Sequence, residues 1–188
     1  MKKTFMQVFA ILTLVFSTAS IADDNKVAIE NFKSSPVAKP FFENSYGYAV
    51  FPTIGKGGFG VGAAHGKGTV YKAGTKVGKS KMTQLSIGFQ VGGQAYSQII
   101  FFQDKRAFEE FTSGNFEFSA DASAVALTAS VQAQAGSTGT SSSLGTDADS
   151  TKQNKAKYRK GMAVMTLAKG GLMYEAAIAG QKYSYKKL

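Results

Sequence analysis

Cysteine and tryptophan are absent from the 188 residues, and histidine occurs once. Without cysteine there is no disulfide framework, and with His65 as the sole imidazole a metal centre of the His/Cys kind is excluded. A Ser-His-Asp relay would have to run through His65, which sits in a glycine-rich, turn-like stretch with no nucleophile signature around it. Carboxylates are scarce: 12 Asp and Glu stand against 22 Lys and Arg, a net charge of +10. Glu109 and Glu110 are adjacent on a predicted helix, so they project about 100° apart and do not form an acid/base pair. Asp147 and Asp149 fall in a segment too rich in Gly, Ser and Thr to preorganise anything, and Asp121, in a strand of small residues, reads as structural. The expectation is a protein without catalysis, metal or cofactor.

Long apolar runs are missing as well. Lys2 and Lys3, the apolar stretch from Phe9 to Phe16, and Ser20-Ile21-Ala22 before Asp23 form the charged, apolar and small-x-small parts of an export signal. The apolar part is too short to span a bilayer comfortably. Residues 1–22 are therefore expected to be a signal peptide cleaved after about Ala22, and 23–188 a single domain in the periplasm, soluble or peripheral to the membrane. Removing Lys2 and Lys3 lowers the charge from +10 to 10 − 2 = +8, which still favours polyanions. An exported protein seldom meets nucleic acid, so the expected partner is an anionic membrane surface.

Ala28, Ile29 and Phe32, then Val37 and Phe41, have helical spacing and are separated by Ser34-Ser35-Pro36, which predicts two short helices. From Tyr46 the period becomes two. Phe59, Val61 and Ala63 alternate with glycine. Leu85, Ile87, Phe89 and Val91 alternate with Gln84, Ser86, Gly88 and Gln90, which predicts a half-buried strand, and Gly92-Gly93 a turn. Tyr96 to Phe102 is a further strand, apolar on both faces at its end. Asp104 can cap a helix whose Ala107, Phe108 and Phe111 share one face, with Ser113-Gly114 to close it. Strand character returns over Phe116–Gln134, and 136–154 reads as a flexible loop. Met162–Ala168 and Leu172–Ile178 flank Lys169-Gly170-Gly171 as a closing hairpin, with a last strand around Tyr183-Ser184-Tyr185. The predicted class is α+β, mainly antiparallel β: a curved sheet or barrel-like sandwich with a few short helices packed on one side. Alternating strands also suit an outer-membrane barrel, but the helices and the strand apolar on both faces argue against it.

Gly55, Gly57 and Gly60 spell G-x-G-x-x-G. A phosphate-binding version needs a helix after the glycines and a carboxylate further on. Val61–Tyr71 has strand periodicity instead, and no acid follows until Asp104. A strand with one glycine face lets other chain approach its backbone closely. Between Glu43 and Asp104 there is no acid at all, but there are Lys56, Lys67, Lys72, Lys76, Lys79 and Lys81. These six are the candidate lipid-binding residues, since each lysine near an anionic bilayer contributes roughly 1 kcal/mol. Lys152, Lys155, Lys157, Arg159 and Lys160, around Tyr158, form a second basic cluster, and Lys182, Lys186 and Lys187 a third. Phe41 and Phe42 beside Lys39 either cover the sheet or insert at a headgroup boundary; a two-layer domain favours the cover.

Three blocks, "YGYAVFPTIGKGGFGVGAAHGKGTVY", "YSQIIFFQDKRAFEEFTSGNFEFSADASAVALTA" and "KGMAVMTLAKGGLMYEAAIAGQKYSY", resemble the lipid-binding SYLF domain over about residues 27–187. Members include exported bacterial proteins and eukaryotic actin-patch regulators that carry an SH3 domain. The resemblance implies binding of phospholipids, phosphoinositides in eukaryotes, and no catalysis. The eukaryotic relatives also bind actin and a nucleation-promoting factor through their SH3 and adjacent regions, so the alternative is a protein-interaction scaffold.

Overall fold

The computed structural model describes residues 19–59, 61–87, 92–119, 122, 124–127, 156–169 and 178–188. Most of the expected signal peptide, the 136–154 loop, Asp121 and the Gly170-Gly171 turn with the strand from Leu172 lie outside the described residues. The elements in chain order are α1 (Ala19–Lys33), α2 (Lys39–Asn44), β1 (Gly47–Phe59), β2 (Val61–Lys72), β3 (Thr75–Ile87), β4 (Gly92–Phe102), α3 (Lys105–Thr112), β5 (Asn115–Glu117), β6 (Val125–Leu127), β7 (Met162–Lys169) and β8 (Lys182–Lys187). The strands form one open sheet in the order β5-β8-β3-β2-β1-β4-β7-β6. Every pairing is antiparallel except β6 with β7. The class is α+β with a mainly antiparallel sheet.

Local chemistry sets the elements. Pro40 opens α2, where its missing N–H is not needed. Asp104 caps α3 by accepting from the Ala107 N–H at 2.8 Å, and Ala107, Phe108 and Phe111 form the buried stripe. The β2–β3 hairpin closes through Ala73 and Gly74, both at positive φ (47° and 77°), the geometry whose twist matches the flanking strands.

Pro52 lies in a central strand, where a missing N–H is tolerated at a bulge. The register of β1 shifts there against both neighbours, between Val50 and Thr53 on β2 and between Phe51 and Ile54 on β4. The Pro52 carbonyl accepts from Ser97 Oγ at 2.8 Å. The extra residue inverts the parity of the strand. Ala49 and Phe51 point to one face before it, and Ile54 points to that same face after it.

That face, here the inner one, gathers Phe51, Ile54, Met82, Ile100 and Phe102 with Phe108 and Phe111 of α3. Met162 of β7 and the half-buried Phe116 of β5 belong to the same cluster, so the sheet curls its two ends toward each other. The outer face packs Ile99, Phe101 and Met165 against Phe32 of α1 and Ala38. Ala28 of α1 covers Val50 and Tyr71. Phe41 and Phe42 are part of this cover, 5.5 and 4.9 Å from the Phe101 ring. Helices therefore occupy both faces, α1 and α2 outside, α3 inside. The packing residues of α1 (Asn25, Ala28, Ile29, Phe32) all follow the expected cleavage point at Ala22.

Glycine on the inner face of β2 answers a packing need. A Cβ at Gly68 would stand 2.6 Å from Phe51 Cδ1, and one at Gly66 would stand 2.6 Å from Ile54 Cγ1. Gly92 and Gly93 are not the expected turn but the first residues of β4, paired with Gly58 and Gly57. Of the Phe116–Gln134 stretch, where strand character was expected, the described residues include the end of β5 and all of β6, and 128–134 lie outside the described residues.

The alternation around Leu85 is present, but with the faces exchanged: Gln84 is buried and Leu85 is 81% exposed. Gln84 is held inside because its amide donates to the Ala179 carbonyl at 3.0 Å and its carbonyl accepts from Gln181 Nε2 at 3.3 Å. Gln181 donates also to the Tyr96 hydroxyl at 3.2 Å, and Gln98 Nε2 donates to Gln181 Oε1 and the Tyr183 hydroxyl at 3.0 and 2.7 Å. Amides and phenols thus bond to one another in the interior, the Gln98 carbonyl excepted among the described residues.

Candidate functional site

In an antiparallel pair, residues directly opposite share a face. Lys67 of β2 faces Lys81 of β3, Thr69 faces Lys79, and Lys79 faces Lys186 of β8. A register shift after Val70 sets Lys76 opposite Tyr71, the residue that α1 covers on the outer face. Lys67, Lys76, Lys79 and Lys81 therefore stand together on the outer face, all exposed. None of the four has a carboxylate within ion-pair distance among the described residues. The strands β8, β3, β2, β1, β4 and β7 contain no acid. The nearest carboxylate along the sheet is Glu117 on β5, and it is paired with Lys182 at 3.5 Å.

The other two predicted lysines are elsewhere. The Pro52 bulge sets Lys56 opposite Ala64, a buried inner-face residue, so Lys56 is half-buried on the inner side. Lys72, at the β2–β3 turn, places its ammonium 5.0 Å from the centre of the Tyr46 ring, which packs on Phe108 of the inner cluster. Its pKa is raised, first by a side-chain hydrogen bond with Tyr46, then by the charges of Tyr46 and Glu109. The sequence contains no direct sign of either bulge beyond Pro52, so the division of four and two was not readable from spacing.

Lys169 extends the outer patch from the far side by donating to Thr53 Oγ1 at 2.7 Å, and Thr53 stands opposite Lys67. Toward the free ends of β2 and β3 the same face becomes apolar: Val61 is 65% and Leu85 81% exposed, with Ala63 directly opposite Leu85. Leu85 lies roughly 13 Å along the strand from Lys81 at about 3.3 Å per residue. At the other end α1 closes the face, with Asn25 Nδ2 donating to Thr69 Oγ1 at 3.1 Å. The exposed surface therefore grades from apolar to cationic along β2 and β3. His65 sits between, exposed, with Gly55 and Thr83 opposite it and no acid nearby on the sheet.

Of the second basic cluster, Lys152 and Lys155 lie outside the described residues. Lys157, Arg159 and Lys160 are exposed, and the last two border a cavity between β5 and β7. Lys182 is the lysine paired with Glu117, Lys186 joins the outer patch, and Lys187 pairs with Gly78 on the inner side. Among the described residues no cluster of His, Asp and Glu could hold a metal ion, and no helix is long and apolar enough to cross a membrane.

A small α+β module with an open, curled sheet and a cationic outer face is the class that this architecture defines. Residues 83–187, from β3 to β8, match the family described as "Ysc84: Las17-binding protein actin regulator", and the chain belongs to this family, that of the SYLF domain. Beta cell expansion factor A of Aeromonas veronii is 29% identical over 158 residues, which are 82% of this chain and 51% of that protein. The chain thus spans about half the length of that relative.

Proposed function

We propose that this chain is a non-catalytic module that docks on anionic phospholipid surfaces, of the phosphoinositide or phosphatidylglycerol kind, through the outer face of β2 and β3. The observation that carries the reading is the pair of cross-strand lysine contacts, Lys67–Lys81 and Lys79–Lys186, with no carboxylate between them and exposed Val61 and Leu85 beyond. Like charges set directly opposite in a sheet are unfavourable. A surface that keeps them is suited to a partner that supplies the negative charge. Four lysines at roughly 1 kcal/mol each give useful, salt-screened affinity, and the apolar end adds contact at the headgroup boundary. The module acts, in this reading, after export, at the envelope membrane. The reading as a module without catalysis is consistent with the setting of His65, which has no acid beside it on the sheet among the described residues.

Flotation tests the proposal. The protein is expected to float with phosphatidylglycerol or cardiolipin vesicles, not with phosphatidylcholine alone, and to be released by salt. Changing Lys67, Lys76, Lys79 and Lys81 together to Glu is expected to abolish flotation, while Lys56→Glu with Lys72→Glu leaves it nearly unchanged. Retention of the fourfold variant on anionic vesicles would remove the outer face from the account.

The second reading is a protein-interaction scaffold. The family description, Las17-binding protein actin regulator, favours it, and the same face could receive an acidic protein surface. Failure of flotation on every vesicle composition, with retained binding to an acidic protein partner, would select it.

A further inference from the structure

On the inner side, between β5 and β7, lies a cavity of about 270 Å³. Buried Phe118, Met162, Val164 and Ile178 form its floor, with Phe116 at half depth. Exposed residues form its mouth, among them Glu110, Glu117, Arg159 and Lys160. The two acids are already neutralised, Glu110 by Arg106 at 3.1 Å and Glu117 by Lys182 at 3.5 Å. The Arg159 guanidinium has no ion pair among the described residues.

The two basic residues are held on a fixed turn. The Arg159 N–H donates to the Met162 carbonyl at 2.8 Å and the Met162 N–H to the Arg159 carbonyl at 3.0 Å. Lys160 and Gly161 between them both have positive φ, 51° and 80°. Lysine is an uncommon occupant of that conformation, which Asn or Gly adopts with less strain. Arg106 Nη2 of α3 straps the turn by donating to the Lys160 carbonyl at 3.2 Å. Lys160 Nζ in turn donates to Ser119 Oγ at 3.4 Å.

We propose that this cavity binds a single-chain amphiphile with an anionic head, a medium-chain carboxylate whose chain lies on the apolar floor and whose head meets Arg159. An apolar cavity of ~150 Å³ accepts one benzene, so this volume accommodates about ten carbon atoms, one short chain rather than the two of a phospholipid. The guanidinium fork matches a carboxylate. The site is separate from the outer face, on the other side of the sheet, and stands or falls independently of vesicle docking.

The test is titration of decanoate, below its micelle concentration, into the full chain, followed by calorimetry and methyl NMR. Saturable one-to-one binding is expected, with shifts confined to the methyls of Met162, Val164 and Ile178. Arg159→Gln is expected to weaken decanoate about tenfold and to leave decanol unchanged, since only the carboxylate uses a charge-assisted hydrogen bond. Val164→Phe, which fills the floor, is expected to abolish binding of both while vesicle flotation persists. Dihexanoyl phosphatidylglycerol, with two chains, is expected not to compete. Absence of saturation by decanoate in the unaltered chain, shifts scattered away from those methyls, competition by dihexanoyl phosphatidylglycerol, or equal decanoate affinity in Arg159→Gln would each overturn the assignment. The shifts in the unaltered chain decide the matter even if Val164→Phe does not fold.

Discussion

Lys67 and Lys81 stand directly opposite each other on β2 and β3, both exposed and neither in an ion pair with a described residue. Side chains so placed have Cβ atoms roughly 5 Å apart, and their repulsion is eased only by splaying the ammonium groups into water. The pair therefore lowers the stability of the sheet while raising its attraction for anions. Lys81→Glu is expected to convert the repulsion into a cross-strand attraction and to stabilise the fold by roughly 0.2–1 kcal/mol, while weakening attachment to phosphatidylglycerol vesicles. Urea denaturation and flotation measured on the same variant check both halves. A variant that loses stability and keeps its attachment would contradict the role given to this face.

The inner glycines make a sharper prediction. Gly68→Ala would press a methyl to 2.6 Å from Phe51 Cδ1 and 2.7 Å from the Val50 carbonyl. Backbone cannot give way as a flexible side chain can, so a loss of about 1–3 kcal/mol is expected. Gly55→Ala is the control on the same sheet: its Cβ would meet nothing within 4 Å. There the change is expected to be neutral or mildly stabilising, by up to about 1 kcal/mol, because alanine in a strand interior loses less entropy than glycine. Equal effects at the two positions would mean that chain entropy, and not close packing, explains the glycines.

Much of this arrangement was legible in the sequence. The helical spacing of Ala107, Phe108 and Phe111 with Asp104 before them fixed α3, and all three are buried. Ala28 and Phe32 are buried as their spacing implied, and β4 is apolar on both faces because helices cover one side and the inner core the other. The candidate site was only half legible. A period of two states which residues share a face, but not which face is buried. Gln84 and Leu85 illustrate the gap: apolarity favoured burying Leu85, whereas a network of amides and phenols made a place for Gln84. The bulges at Pro52 and after Val70 then exchanged parity, sending Lys56 inward and bringing Lys76 beside Lys79 and Lys81. A proline in a central strand signals a bulge, but the shift at Val70 has no such marker.

The interior also holds a polar atom that could be dispensed with. Thr166 of β7 stands opposite Gln98 of β4, both fully buried, and the Thr166 hydroxyl and the Gln98 carbonyl have no hydrogen-bond partner among the described residues. Thr166→Val keeps the shape and removes one unpaired group, so a gain of up to about 1–2 kcal/mol is expected. Thermal and urea unfolding measure it. A loss exceeding about 1 kcal/mol would show that an ordered water bonds the hydroxyl and is part of the core.

The tyrosines set an alkaline limit to stability. Tyr48 stacks on Tyr71 with ring centres 4.9 Å apart, and its pKa is pushed up to about 12 by burial and then by the Tyr71 charge. Burial pushes Tyr96 up to about 12 as well, against a hydrogen bond from Gln181 that lowers it. Tyr183, in the same network, is likewise raised well above its ordinary value by burial. In each case the folded pKa lies above the value of about 10 in an unfolded chain, so the fold retains protons that the unfolded chain has released. The stabilisation is thus fully present below about pH 10 and is lost as the pH climbs from about 10 to about 12. The urea midpoint is expected to hold level up to about pH 9.5 and to fall steeply above it, with phenolate absorbance appearing together with unfolding. Tyr96→Phe removes one of the titrating groups and is expected to make the fall shallower. A midpoint that stayed level through pH ~11.5, or phenolate absorbance that rose well before unfolding, would mean that these hydroxyls reach solvent in the folded protein.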